Sequence, residues 1–169
     1  MDYLQRLATE WYEYQGYFVH RDLWVGFESD GSYECELDVV AFHPLHRHLV
    51  HIEPSLDLLD QRNREEHFRV KFEAGKKYLH RLFGTEAQVR LEQVALVSAD
   101  GKLPPTIAGG RIVSVSELLA EMIAALGAFD MSESLVPEQW PILRTLQLVA
   151  AYRGRLGPQL ARTSDGASM

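Results

Sequence analysis

Apolar residues recur at threes and fours between positions 2 and 15. Leu4, Leu7, Ala8 and Trp11, followed by Tyr12 or Tyr14, predict an amphipathic helix that stops at Gly16. The period then changes. From Tyr17 to Phe27, aromatic and β-branched residues predict a strand broken near Arg21-Asp22, and Glu28-Ser29-Asp30-Gly31-Ser32 has the composition of a turn. Two further strands over 33–42 and 48–53 form a predicted hairpin, because Pro44 in their connection disfavours strand continuation. A long helix from Leu58 or Gln61 to Phe83 carries Phe68, Phe72, Gly75, Leu79 and Leu82 on one face, with Gly84 as its stop. Residues 87–98 predict a fourth strand and 111–115 a fifth, after which Ser116 is expected to N-cap a helix over Glu117–Leu126. Beyond a linker over Gly127–Leu135, the Pro137-to-Pro141 stretch opens a last helix to Tyr152, with proline in its permitted first turn. Its apolar face, Ile142, Leu143, Leu146, Val149 and Ala150, either packs back on the same domain or makes a homodimer contact.

These elements predict an α/β fold: a mixed sheet flanked by helices, with an additional C-terminal helix. A chain of 169 residues is long enough to bury a substantial core without disulfides. The core domain is expected over 1–126, the linker and C-terminal helix packing on it over 127–155, and a disordered tail over the polar, unpatterned 156–169. The single cysteine, Cys35, alternates with Glu34 and Glu36 on a strand and is expected on the opposite, buried face. No signal pattern and no apolar run of spanning length are seen, so a cytoplasmic protein without membrane insertion is expected.

Two strands carry acids inside otherwise apolar runs, Glu36-Leu37-Asp38-Val39-Val40-Ala41 and Leu49-Val50-His51-Ile52-Glu53-Pro54-Ser55. A carboxylate in such a place must be solvated, paired or bound to a metal, since burying an isolated charge costs several kcal/mol or neutralises it. Strand alternation puts Glu34, Glu36, Asp38 and Val40 on one face and His51, Glu53 and Ser55 on one face of the next strand. If the faces coincide, Glu36, Asp38, His51 and Glu53 converge. Two carboxylates completed by water and a phosphate are what magnesium accepts in phosphoryl-transfer sites; the bland alternative is a solvent-facing, hydrogen-bonded strand edge. His51 can serve as ligand or base, or simply as a hydrogen-bonding partner of the carboxylates.

Charge and histidine content narrow the picture. The net charge of −7 excludes a protein that coats nucleic acid by bulk electrostatics, but Gln61–Arg81 holds seven basic residues against three acids. This stretch reads either as a solvated helix face neutralised by pairs such as Glu73 with Lys77, or as a phosphate-contacting surface that uses Arg62, Arg69, Lys76 and Lys77. The cluster His43, His46, His48 and His51 lacks helical spacing and cysteine partners, so loop histidines are favoured over zinc. Gly109-Gly110 precedes a strand and reads as a turn, and the aromatics of the first 27 residues fall at core spacing rather than as a base-stacking surface.

The first helix ending in Gln15-Gly16-Tyr17-Phe18-Val19, the Glu36-to-Ala41 strand, the His51-Ile52-Glu53-Pro54-Ser55 strand and the helix after it resemble the PD-(D/E)XK nuclease superfamily, the restriction-endonuclease-like fold. The branch is that of Holliday-junction-resolvase-like and Mrr-like domains, and the resemblance covers residues 3–126. It implies that Asp38 is the first metal-binding acid and Glu53 the acid of the second motif. The Ile52 carbonyl would complete the shell of a Mg2+ or Mn2+ ion. The lysine that should stand two residues after Glu53 is Ser55, and the helix acid falls on Gln5, with Glu10 nearby on a different part of the helical surface. Some similar proteins carry the lysine on the next helix, so Lys71 or Arg64 takes its part. Lys71 is chemically preferred because arginine stays protonated, whereas Arg64 lies nearer the strand end. Three functions follow as expectations: a magnesium-dependent DNA endonuclease, a catalytically inactive nuclease fold that binds DNA or a protein partner, and a dimerising interaction domain.

Overall fold

The structure is a computed structural model that describes residues 3–55, 61–83, 89–98, 103–128 and 135–164, without the side chains of 61, 62 and 159–164. It forms two compact units, Met1–Glu117 and Leu118–Met169. The first unit holds α1 (Tyr3–Tyr14), β1 (Phe18–Phe27), β2 (Tyr33–His43), β3 (His48–Ser55), α2 (Gln61–Leu82), β4 (Arg90–Val97), β5 (Thr106–Ile107) and β6 (Gly110–Ser114). Helix α3 (Val115–Leu126) starts at its end, and α4 (Pro141–Ser164) belongs to the second unit. None of the helices among the described residues is long and apolar enough to cross a membrane.

The six strands form one mixed sheet in the order β1-β2-β3-β4-β6-β5. β1, β2 and β3 are antiparallel neighbours, and β4 is parallel to β3 and β6. The β3–α2–β4 connection is thus a parallel crossover, whose necessary length α2 supplies. β3 has a neighbour on each side and is buried from Leu49 to Ser55, which explains its nearly continuous apolar run. α2 lays Phe68, Phe72 and Leu79 onto the sheet, all fully buried. Two glycines set this close approach. A Cβ on Gly75 would lie 2.4 Å from His51 Nδ1, and one on Gly110 would lie 2.3 Å from the Phe72 ring.

Several expectations change. β1 is a single strand through Arg21-Asp22, but its pairing with β2 skips Asp22, which is held at a positive φ of 52°. Trp11 is core, but Phe18, Trp24 and Phe27 of β1 are exposed, because β1 is an edge strand whose aromatic positions α1 and α2 leave uncovered. Simple alternation fails on β2. Leu37 and Val40, of opposite parity, belong to the same core cluster with Ala74 and Leu79 of α2, so the pleat changes phase between them, around Asp38. The half-buried Cys35 packs against that cluster. The turn expected at Gly109-Gly110 is Ala108-Gly109, since Ile107 pairs with Gly110; both turn residues have positive φ, as a two-residue hairpin turn needs.

The cap of α3 is Ser114 rather than Ser116. Ser114 Oγ accepts from Glu117 N at 3.1 Å while Glu117 Oε2 accepts from Ser114 N at 2.9 Å, a reciprocal capping box. In the second unit, α4 begins at Pro141 and continues beyond Tyr152 to Ser164, through the start of the expected tail. Pro158 removes one amide donor without ending it. Gln147 Oε1 accepts from Val136 N at 2.9 Å, tying the segment before α4 to its buried face. The helix start at Leu58, the Gly84 stop, strand residues 87–88, linker residues 129–134 and tail residues 165–169 lie outside the described residues.

Candidate functional site

β2, β3 and α2 bring three charged groups together. Lys71 Nζ lies 2.9 Å from Asp38 Oδ1 and 3.3 Å from Glu53 Oε2, and it donates to the Glu36 carbonyl as well. Lys71 stands three residues after Phe68 and one before Phe72, inside the stripe that faces the sheet. A lysine at that spacing can pack its stem on the sheet and deliver its ammonium to the strand ends. The register of β2 with β3 ends at Val39 opposite Ile52. Beyond it, backbone groups of β2 are satisfied by side chains. Asp38 N donates to Glu53 Oε1 at 3.0 Å, the Asp38 carbonyl accepts from Gln5 Nε2 at 2.9 Å, and the Glu36 carbonyl takes the lysine.

Glu53 is fully buried. Its Oε1 also accepts from His51 Nε2 at 2.7 Å. The Gln93 amide nitrogen donates to the Phe72 carbonyl at 2.8 Å and lies 3.2 Å from His51 Nδ1. With an amide donor on Nδ1, the network assigns the His51 proton to Nε2, aimed at Glu53. Oε2 has no hydrogen bond of good geometry; the Lys71 contact at 3.3 Å is its ion-pair partner.

The two acids titrate in opposite directions. Burial, then the charge of Glu53, pushes the Asp38 carboxyl above its usual range despite Lys71. Burial acts the same way on Glu53, but the His51 hydrogen bond, Lys71 and the Asp38 amide together outweigh it, and its pKa falls. Burial alone would lower Lys71; Glu53 and Asp38 reverse this and raise it, so the ammonium is retained at neutral pH.

The remaining predicted residues are more scattered. Arg64 lines an apolar cavity of about 820 Å³ with Val97, Leu103, Pro104, Ile107 and Ile112, a lining that includes neither Asp38 nor Glu53 among the described residues. Glu36 meets Lys71 through its carbonyl, and the Ser55 carbonyl accepts from Ser98 N at 3.1 Å. Buried Glu10 is paired with Arg6 at 3.2 Å. Arg69 is held by Glu66 at 2.6 Å and Glu73 at 3.3 Å, and Lys77 by Glu34 at 2.6 Å; Lys76 is exposed. The side chain of Arg62 lies outside the described residues. His43 rests against Tyr17 and His46, and His48 bonds Tyr17 and Glu92.

One residue of the site was not foreseen. Asp22, in line with Asp38 in the β1–β2 register, accepts from the Gln5 amide that also holds the Asp38 carbonyl. The interruption of the apolar run at Arg21-Asp22 was its only trace in the sequence. Compared with known protein families, curated proteins and solved structures, the chain matches none. Among the described residues, no group of three or more His, Cys, Asp or Glu side chains is arranged to hold a metal ion.

Proposed function

We propose that this chain is a metal-dependent hydrolase of DNA phosphodiesters, with a restriction-endonuclease-like fold similar to the PD-(D/E)XK superfamily and a cytoplasmic place. The observation that carries the reading is Glu53 Oε2, a buried carboxylate oxygen without a hydrogen bond, beside Asp38 and an ammonium. Such an oxygen fits a hard cation. Asp38, Glu53 and the Ile52 carbonyl would hold it. Bound magnesium or manganese supplies polarisation of the phosphate and a lowered pKa for water. Lys71, kept protonated by its two carboxylates, donates hydrogen bonds to a water or a phosphate oxygen rather than acting as a base. His51 and the Asp38 amide occupy Oε1 of Glu53, so Oε2, beside Lys71, is the oxygen that would be offered to a cation.

The test is cleavage of plasmid and branched DNA with Mg2+ and Mn2+. Lys71→Met is expected to lower the rate by about 10²–10³, the usual cost of one preorganised donor, and Asp38→Ala to abolish it. Cleavage retained by Asp38→Ala would remove the metal assignment. A second reading, a nuclease fold that binds DNA or a protein partner without cutting, is favoured by the ammonium that already bridges both acids and by Ser55 and Gln5 at motif positions. Binding without cleavage in either metal would establish it.

A further inference from the structure

We infer that His51 sets which cation the Asp38 and Glu53 carboxylates take: by holding one oxygen of Glu53 it limits that acid to one-oxygen coordination and so selects Mg2+ over Ca2+. This rests on the metal-dependent reading and names the specificity of the same site. Oε1 of Glu53 accepts two hydrogen bonds, from His51 Nε2 at 2.7 Å and from the Asp38 amide at 3.0 Å. A carboxylate oxygen has about two lone-pair directions, so Oε1 is saturated. Oε2, which has no hydrogen bond and lies 3.3 Å from Lys71 Nζ, is the oxygen left for an ion. Mg2+ accepts single oxygens from one or two carboxylates and fills its octahedron with water and phosphate. Ca2+ collects about six to eight oxygens and often takes two of them from one carboxylate. A Glu53 that withholds Oε1 denies Ca2+ that second oxygen and costs Mg2+ nothing.

Packing keeps this donor in place. His51 is fully buried, and residues of α2 and β4 enclose its ring. A Cβ on Gly75 would lie 2.4 Å from Nδ1 and 2.8 Å from Cε1, and the Phe72 ring meets the imidazole edge-on at 5.6 Å. Gln93, opposite His51 in the β3–β4 register, brings its amide nitrogen to 3.2 Å from Nδ1. That nitrogen is itself anchored, since it donates to the Phe72 carbonyl at 2.8 Å. With Nδ1 facing an amide donor and the Nε2 proton on Glu53, neither ring nitrogen is offered to an ion. His51 therefore acts through Glu53 as a positioning residue and not as a ligand. Lys71 differs: its ammonium engages Asp38 Oδ1 at 2.9 Å from a flexible stem that reaches solvent, so it can yield to an ion where the buried ring cannot.

The experiment titrates the full chain with MgCl2 and with CaCl2 in a calorimeter, without DNA, and compares the ratio of the two dissociation constants, Kd for Ca2+ over Kd for Mg2+. His51→Leu, which frees Oε1, is expected to lower this ratio by about tenfold, the low end of what losing an outer partner of a metal ligand does. His51→Gln, whose amide nitrogen can donate to Oε1 from the place of Nε2, should keep the parent ratio. An unchanged ratio in His51→Leu, or an equal fall in His51→Gln, overturns the assignment. The parent chain gives a second test that needs no variant to fold. The His51 Nε2 proton, identified in heteronuclear NMR by its proximity to the Asp38 amide proton, should persist at saturating Mg2+. Its loss on adding Mg2+ would mean that the ion takes Oε1, which also overturns the proposal. Mg2+ binding with the His51-dependent ratio but no DNA cleavage keeps the selectivity and removes the hydrolase reading. Cleavage abolished by Asp38→Ala, with a ratio indifferent to His51→Leu, does the reverse, and binding of neither cation by the parent removes both.

Discussion

Asp38 and Glu53 are both carboxylates on neighbouring strands, yet the fold treats them oppositely. Glu53 is held as an anion by two hydrogen-bond donors, His51 and the Asp38 amide, and by the charge of Lys71, and its pKa is lowered from an ordinary 4.5. Its contribution to stability is therefore present above that value and lost as the pH falls through the lower, folded one. Glu53→Gln is expected to cost about 3 kcal/mol at neutral pH, as for one broken partner of a buried ion pair, and to flatten the acid limb of a urea-midpoint profile. Asp38 has the raised value, so what it contributes is present at low pH and lost as the pH rises through its folded pKa. Asp38→Asn should thus be as stable as the parent or more so near pH 7, measured by the same midpoint, while losing function. A loss of stability equal to that of Glu53→Gln would contradict the burial account. The acids, His51 and Lys71 were legible as residue types in strand and stripe patterns. Asp22 was not, because its part depends on a register and a backbone twist that no local pattern encodes.

Between elements, the decisive contact is α2 on β3 and β4. Gly75 is a helix interior residue, where alanine would ordinarily gain about 1 kcal/mol of helix propensity. Here the added Cβ meets the His51 ring at 2.4 Å, and His51 is fixed by Gln93 and Glu53. Gly75→Ala is expected to be net destabilising by about 1–2 kcal/mol through overpacking, and to weaken the proposed metal binding by displacing His51; a stabilised variant in thermal unfolding would show that the helix can lift without cost. The existence and order of α1, β1–β3, α2, β4 and α3 were readable from period and punctuation. β5 is two residues long and too short to carry a period. The α3 cap was misplaced by two residues because two serines compete locally, and Glu117 closes its box with Ser114.

For the whole molecule, the proposed cation would be the link between fold and activity. A ligand that binds only the folded state stabilises it by about 2.7 kcal/mol at a hundredfold excess over Kd. Mn2+ is expected to raise the thermal midpoint of the parent chain and of Trp24→Leu, and to leave Asp38→Ala unmoved; an equal rise in all three would place the ion elsewhere. The sequence alone was sufficient for the α/β class, the two acid-bearing strands and the basic helix between β3 and β4, because these follow from local periodicity and from the cost of charge in apolar runs. Tertiary structure alone decided that Lys71 reaches both acids, that Gln5 bridges Asp22 and Asp38, and that the β1 aromatics Phe18, Trp24 and Phe27 are exposed. Each of these depends on which surfaces a helix covers and where a pleat changes phase, distances set by packing between segments far apart in the chain.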